Sequence, residues 1–263
     1  MANLKRRNHY LPVCYQTGFA NSSGQVWVKF ADKPKPELRN PMSVGRKQSL
    51  YIIERDGIET DKVEDFFSKE IETPFAALSQ RIKDEKDKFS GISGKESGVL
   101  ARFVASQAVR TLAHKECIGE QARGPVDSNT FVRVMGKKTI TLLDSWIKHP
   151  PQFHFYTSLP HVADRFISGD HPVLVIVEHD NPIWLPTSEP KLNITSLGDI
   201  LKSPKHGFLI SLSPYVCLSI HGTGDREPHL PPQTVDPQFV RFLTDRIRGQ
   251  SKVFVLARDV ESL

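Results

Sequence analysis

The chain has 263 residues, enough for a large domain with an ample core, and its 38% hydrophobic and 25% charged content lies in the soluble globular range. No run approaches the roughly 18 apolar residues of a spanning helix, and the basic start Lys5-Arg6-Arg7 has no apolar stretch behind it, unlike a secretory signal. Cys14, Cys117 and Cys217 are far apart, which excludes a disulfide framework or zinc knuckle and points to a reducing, cytoplasmic setting.

The net charge of +5 is unevenly spread. Residues 1–50 hold nine Lys/Arg against two Asp/Glu, a net of +7, which leaves −2 for the rest. Such a segment is a candidate phosphate-facing surface, or a solvated arm.

Residues 8–19, aromatic and β-branched, predict a strand broken at Pro12, since proline tolerates a strand start or edge but no central ladder position. Asn21-Ser22-Ser23-Gly24 is a turn and Gln25–Phe30 alternates, which predicts a first hairpin. Asp32–Pro41 reads as a loop, and a short strand near Ser49–Ile53 ends at the Arg55-Asp56-Gly57 turn. From Thr60 to Phe89, Val63, Phe66, Phe67, Ile71, Phe75, Leu78 and Ile82 recur at helical steps, and Pro74 should kink or split that helix. A Gly/Ser-rich loop at 90–98 leads to a second helix over Ser97–His114.

Gly119–Asn129 reads as a polar loop, and Phe131–Ile147 fits either a strand or a strand followed by a helix. Gln152–Thr157 alternates as a strand. Phe166-Ile167 and Val173–Val177 then flank a polar corner, Ser168-Gly169-Asp170-His171-Pro172, at the edge of what reads as the central sheet. Long surface loops are predicted near 178–206 and 222–236, with a hairpin of 207–212 and 215–221 between them. Asp236-Pro237 is an N-cap and N1 pair for a helix through Gly249, and Lys252–Asp259 is a closing strand. The order predicts a single α+β domain over 1–263, a mostly antiparallel sheet with three main helices packed against it.

Leu100, Phe103, Gln107, Arg110 and His114 step by three and four and share one helix face, so Gln107 and Arg110 lie in or beside an apolar stripe. Arg110 can clamp an anion with its planar fork, or tie the helix to a carboxylate such as Asp170 or Glu72. His9, beside Tyr10, is a candidate general acid or base, or an ordinary edge-strand histidine. Asp170 can orient His9, bind a metal or act as a base, yet an Asp in such a corner also satisfies turn geometry alone. His149, His154 and His161 match no zinc spacing, so no metal is assigned, and no cofactor is indicated. The cysteines read as buried small hydrophobes.

Asn8-His9-Tyr10-Leu11-Pro12, Gln107-x-x-Arg110-Thr111, the stretch Phe166–Val173 and Ser211-Leu212-Ser213-Pro214, followed by a closing helix and strand, resemble the widespread, largely bacterial domain of unknown function numbered 4238. The resemblance spans nearly the whole chain in the same order. It departs at Gly169, where the family often reads Ser-Asp directly, and at 178–206. It implies one domain, and His9, Gln107, Arg110 and Asp170 as one site drawn from distant segments; it supplies no activity.

Two functions fit. In the first, the protein is a nuclease-like enzyme acting on a phosphodiester of RNA or DNA. Arg110 then holds phosphate, His9 transfers the proton, Asp170 orients His9 or a metal, and Gln107 fixes substrate. Arg6, Arg7, Tyr10, Thr111 and His171 line the substrate side. In the second, it is a non-catalytic binding or regulatory module whose basic N-terminal face docks nucleic acid or a protein. Neither involves a membrane.

Overall fold

The computed structural model describes residues 4, 6–148, 150–159, 164–178, 182–186, 206–222 and 231–263. The N-terminal segment is split rather than continuous. β1 (Arg7–His9) is followed at once by the short helix α1 (Val13–Thr17), with Pro12 at its N-cap, where a missing N–H costs nothing. β2 (Val26–Phe30), β3 (Glu37–Arg39), β4 (Arg46–Gln48) and the hairpin of β5 (Ile53–Arg55) and β6 (Ile58–Thr60) follow. The predicted first hairpin does not form. β1 pairs with β4, placing His9 opposite Arg46, while β2 pairs with β3.

The long helical stretch divides as α2 (Lys62–Phe66), a π-helical segment Phe67–Glu72, and α3 (Thr73–Glu85). Pro74 has no N–H for the carbonyl of Glu70 and its ring would collide with it. The turn widens instead, with the Thr73 N–H donating to Ser68, and the helix continues. α4 (Gly94–Gln107) opens with a capping box of Ser93 and Glu96.

The predicted helix 97–114 is two helices. α4 stops at Gln107, and Thr111 caps α5 (Leu112–Ala122) by accepting the His114 N–H at 3.3 Å. α5 therefore runs into the stretch expected as a loop and ends at Arg123, in left-handed conformation at φ 56°. α6 (Ser128–Lys148) is a continuous helix of 21 residues where a strand, or a strand followed by a helix, was expected. Its buried Phe131, Met135, Leu142 and Trp146 keep helical spacing, and β-branched residues on its flanks, such as Val132, Val134 and Thr139, imitate a strand.

The remaining elements are β7 (Gln152–Ser158), β8 (Ser168–Gly169), β9 (Val173–Glu178), β10 (Pro182–Pro186), β11 (His206–Ser211), β12 (Val216–His221), β13 (Gln233–Val235), α7 (Pro237–Gln250) and β14 (Phe254–Ala257). Asp236 caps α7 as expected, accepting the Phe239 N–H at 2.8 Å. Both predicted long loops contain a strand. β10 pairs with β9, and β13 pairs in parallel with β7; residues 187–205 and 223–230 lie outside the described set.

Six strands form one sheet in the order β10-β9-β11-β12-β7-β13, and four form another, β3-β2-β14-β8. All pairs but β13–β7 are antiparallel, so the α+β fold is as read. Five helices of eleven or more residues, not three, are found among the described residues.

Alternation along the large sheet sorts its side chains. Val173, Val175, Phe208, Ile210, Leu218 and Ile220 face the main core with α3, α4 and α6. Leu174, Leu209 and Cys217 face a second core with α7, built on Val240, Leu243 and Ile247.

The two sheets are joined at Ser168–Pro172, where the chain leaves β8 and enters β9. Gly169 is needed there for closeness: a Cβ on it would lie 2.0 Å from Ser251 Oγ and 3.2 Å from the Phe254 carbonyl. Gly169→Ala should therefore cost about 1–3 kcal/mol in urea denaturation. Gly249→Ala, in open space on α7, should be neutral or gain up to about 1 kcal/mol.

Candidate functional site

Arg110, between α4 and α5, has no exposed surface. Its Nη1 donates to Glu72 Oε1 at 2.9 Å, its Nη2 to the His9 carbonyl, and its Nε to the Tyr51 hydroxyl at 3.4 Å. Tyr51 passes its own proton to the Arg110 carbonyl at 3.1 Å, and the guanidinium lies 4.1 Å from the Phe67 ring centroid. Burial works against the charge, but Tyr51 and Glu72 outweigh it and hold Arg110 firmly protonated. Of the two carboxylates proposed from sequence, Glu72 is the partner. It is brought there by the π-helical segment.

His9 contributes mainly its carbonyl to this cluster. Its half-buried ring donates from Nε2 to the Met42 carbonyl at 3.1 Å, and burial lowers its pKa despite that bond. Next to it on β1, Asn8 is buried and accepts the Tyr51 N–H at 3.1 Å.

Asp170 and His171 form a second centre at the inter-sheet corner. The Asp170 N–H donates to Phe254 on β14 at 3.1 Å, and Oδ1 accepts the Phe254 N–H at 3.4 Å, so the carboxylate extends the β8–β14 ladder. Oδ2 is buried with no hydrogen-bond partner among the described residues. Burial lifts the Asp170 pKa to about 6, against the pull of backbone N–H groups from Lys252 to Phe254. The same carboxylate adds to burial in raising the Tyr10 phenol.

His171 is wholly buried between two helices. Thr111 Oγ1, already accepting from His114, is hydrogen-bonded to His171 Nδ1 at 2.7 Å, and Gln250 Nε2 donates to the His171 carbonyl. Burial depresses the ring's pKa to about 3, and the charge of Lys252 adds to this. Gln107 is fully buried, and neither amide atom has a partner among the described residues.

The sequence-predicted set therefore falls into two groups. His9 and Arg110 meet at Glu72 and Tyr51; Asp170, His171, Thr111 and Tyr10 meet at the corner. Among the described residues no hydrogen bond or ion pair joins His9 or Arg110 to Asp170. Arg110 cannot offer its fork to an outside phosphate, because every face of it is covered. That is a correction to its role as a phosphate clamp. Arg6 is exposed and bound to Glu59 at 2.5 Å, and Arg7 is exposed on β1.

Tyr51 and Gln250 were missed as partners. Tyr51 sits in an apolar Leu-Tyr-Ile run that reads as plain core, and Gln250 in the last turn of a helix. Among the described residues no cluster of His, Cys, Asp and Glu could hold a metal; His149 and His161 lie outside them. None of the three cysteines is in a disulfide, and burial pushes the Cys14 thiol up to about 12, which makes it a poor nucleophile.

A different feature opens to solvent. A groove of about 830 Å³ lies between β4 and α5, with Leu50, Leu112 and Val126 in its lining and Lys47, Lys115 and Arg123 among its cations. Lys115 has a lowered pKa, from burial first and then from the nearby charge of Lys47. Glu116, on the same wall, is paired with Lys252 at 3.2 Å.

The two sheets, the polar corner and the sealed arginine all fall within the span of one family. Residues 7–261 match the family described as a protein of unknown function (DUF4238), and the chain is a member of it. No curated protein and no solved structure matches the chain. No helix among the described residues is long and apolar enough to cross a membrane.

Two outcomes follow from these clusters. Glu72→Gln should cost about 3 kcal/mol or more in urea denaturation by leaving the buried Arg110 charge without its carboxylate, and Arg110→Met less, because the Glu72 left behind keeps contact with water. For pH, Asp170 titrates near 3.8 unfolded and about 6 folded, so its ionisation costs stability as pH rises through that window. His171 runs the other way, 6.5 unfolded and about 3 folded, so stability is lost as pH falls below 6.5. In melting curves, Asp170→Asn should gain on the wild type as pH rises from 3.8 to 6, and His171→Gln as pH falls from 6.5.

Proposed function

We propose that the protein is a binding module that docks nucleic acid through phosphate contacts, while the His9, Gln107, Arg110 and Asp170 set is architecture. The observation that carries this reading is the complete enclosure of Arg110, with Nη1, Nη2 and Nε all given to internal acceptors. A phosphodiester enzyme built on that set would need the arginine and the carboxylate open to substrate, and both are buried.

The cations that do face water lie elsewhere. Arg7, Arg46 and Lys47 are exposed on the β1–β4 ribbon, and Lys115 and Arg123 stand across the groove from Lys47. Two ammonium groups close enough to lower the pKa of one of them favour a phosphate between them, which relieves their repulsion. Of the other N-terminal cations, Arg6 pairs with Glu59, and Lys33 and Arg39 both pair with Glu37 on the far sheet. A reducing cytoplasmic setting agrees with three cysteines outside any disulfide.

The test is fluorescence anisotropy with labelled single- and double-stranded DNA and RNA across a salt series, with and without divalent metal, and with a gel reading cleavage. Binding should weaken steeply with salt. On duplex, Lys47→Ala, Lys115→Ala and Arg123→Ala should each lower the log–log slope by about 0.9 for every phosphate that the removed cation had neutralised. His9→Ala should bind as the wild type does. Cleavage that disappears in folded His9→Ala or Asp170→Ala would overturn the reading in favour of a phosphodiester hydrolase. Salt-insensitive or absent binding would sink both.

A further inference from the structure

Helix α6 buries one face in the main core and leaves the opposite face bare. Along that face the exposed residues are Arg133, Lys137, Ile140, Asp144 and Ile147, at steps of four, three, four and three, which is the spacing of a helix–helix seam. Ile140 and Ile147 are 61% and 77% exposed, unusual for large aliphatic side chains one heptad apart on a single helix. Beside them an apolar groove of about 430 Å³ continues the patch over Ala101, Leu143, Trp146 and Pro151.

We propose that this face is where a second copy of the chain docks, with the two α6 helices antiparallel about a two-fold axis beside Ile140. The argument is self-complementarity. Lys137 lies three residues before Ile140 and Asp144 four after it. At the helical rise, the axis brings Lys137 of one copy to within about 1.5 Å, along the helix, of Asp144 of the other, and does so twice. Ile140 then meets its own copy, and Ile147 covers the aliphatic stem of Arg133.

Neither Lys137 nor Asp144 makes an ion pair among the described residues, so both charges are available to a partner. Gly136, which faces open space where an added Cβ would lie, lets the second helix come close beside these charges. The face is separate from the groove at β4 and α5, so the proposal stands or falls independently of nucleic-acid binding.

The experiment is sedimentation equilibrium of the purified chain over a concentration series, with melting curves for each variant. The wild type should shift with concentration from 29.7 kDa toward twice that mass. Ile140→Asp with Ile147→Asp should stay monomeric at an unchanged melting temperature, because both side chains are exposed. Lys137→Asp should raise the dimer dissociation constant roughly tenfold or more by setting like charges against each other. Lys137→Asp combined with Asp144→Lys should restore it. A wild type that is monomeric throughout, or a dimer that none of these changes weakens, would overturn the proposal, the latter by placing the contact elsewhere.

Discussion

The fold depends on a single turn of backbone at which one sheet ends and the other begins. Within four residues, Ser168 accepts a place in the small sheet, Gly169 lets Ser251 press against the chain, Asp170 extends the ladder to β14, and His171 receives one helix start and one helix end. The bonds are ordinary in strength. Their importance is that they converge, so both sheets and the helices α5 and α7 share one origin. Both ionisable groups are held in the neutral direction by burial, which suits a junction rather than an exposed site.

Arg110 illustrates a second way of using charge. A buried guanidinium is expensive, and it is tolerated because it has a carboxylate, a carbonyl, a hydroxyl and an aromatic face around it at once. Through these it connects β1, the segment after β4, the π-helical turn and the α4–α5 junction. The widened turn that accommodates Pro74 is thus also the turn that delivers Glu72.

Much of the architecture was legible where a local rule and the tertiary context agree. Asp236-Pro237 announced α7, and the apolar runs around Ser213-Pro214 announced the β11–β12 hairpin. The failures share one cause, competition between local preference and a distant partner. β-branched residues along α6 resemble a strand until Phe131, Met135 and Leu142 find the core. Residues 8–19 look like a strand until Pro12 is placed before α1, and β2 finds β14 from the other end of the chain. For the site, the burial of Gln107 and Arg110 was readable, although Arg110 lies past the end of α4 rather than on its face, and so was the pair of candidate carboxylates, Asp170 and Glu72. Which carboxylate Arg110 takes is decided by packing between segments some forty residues apart. The sequence does not encode it locally.

The position of β14 constrains how the molecule is made. It lies between β2 and β8, so the strand at residues 26–30 gains its inner neighbour only when residues 254–257 have been synthesised. Until then that edge, carrying Val26 and Val28, has open backbone donors and acceptors on a growing polypeptide. Closure across more than two hundred residues is slow relative to local helix formation. During synthesis this edge is therefore the part of the small sheet most open to pairing with a strand of another chain.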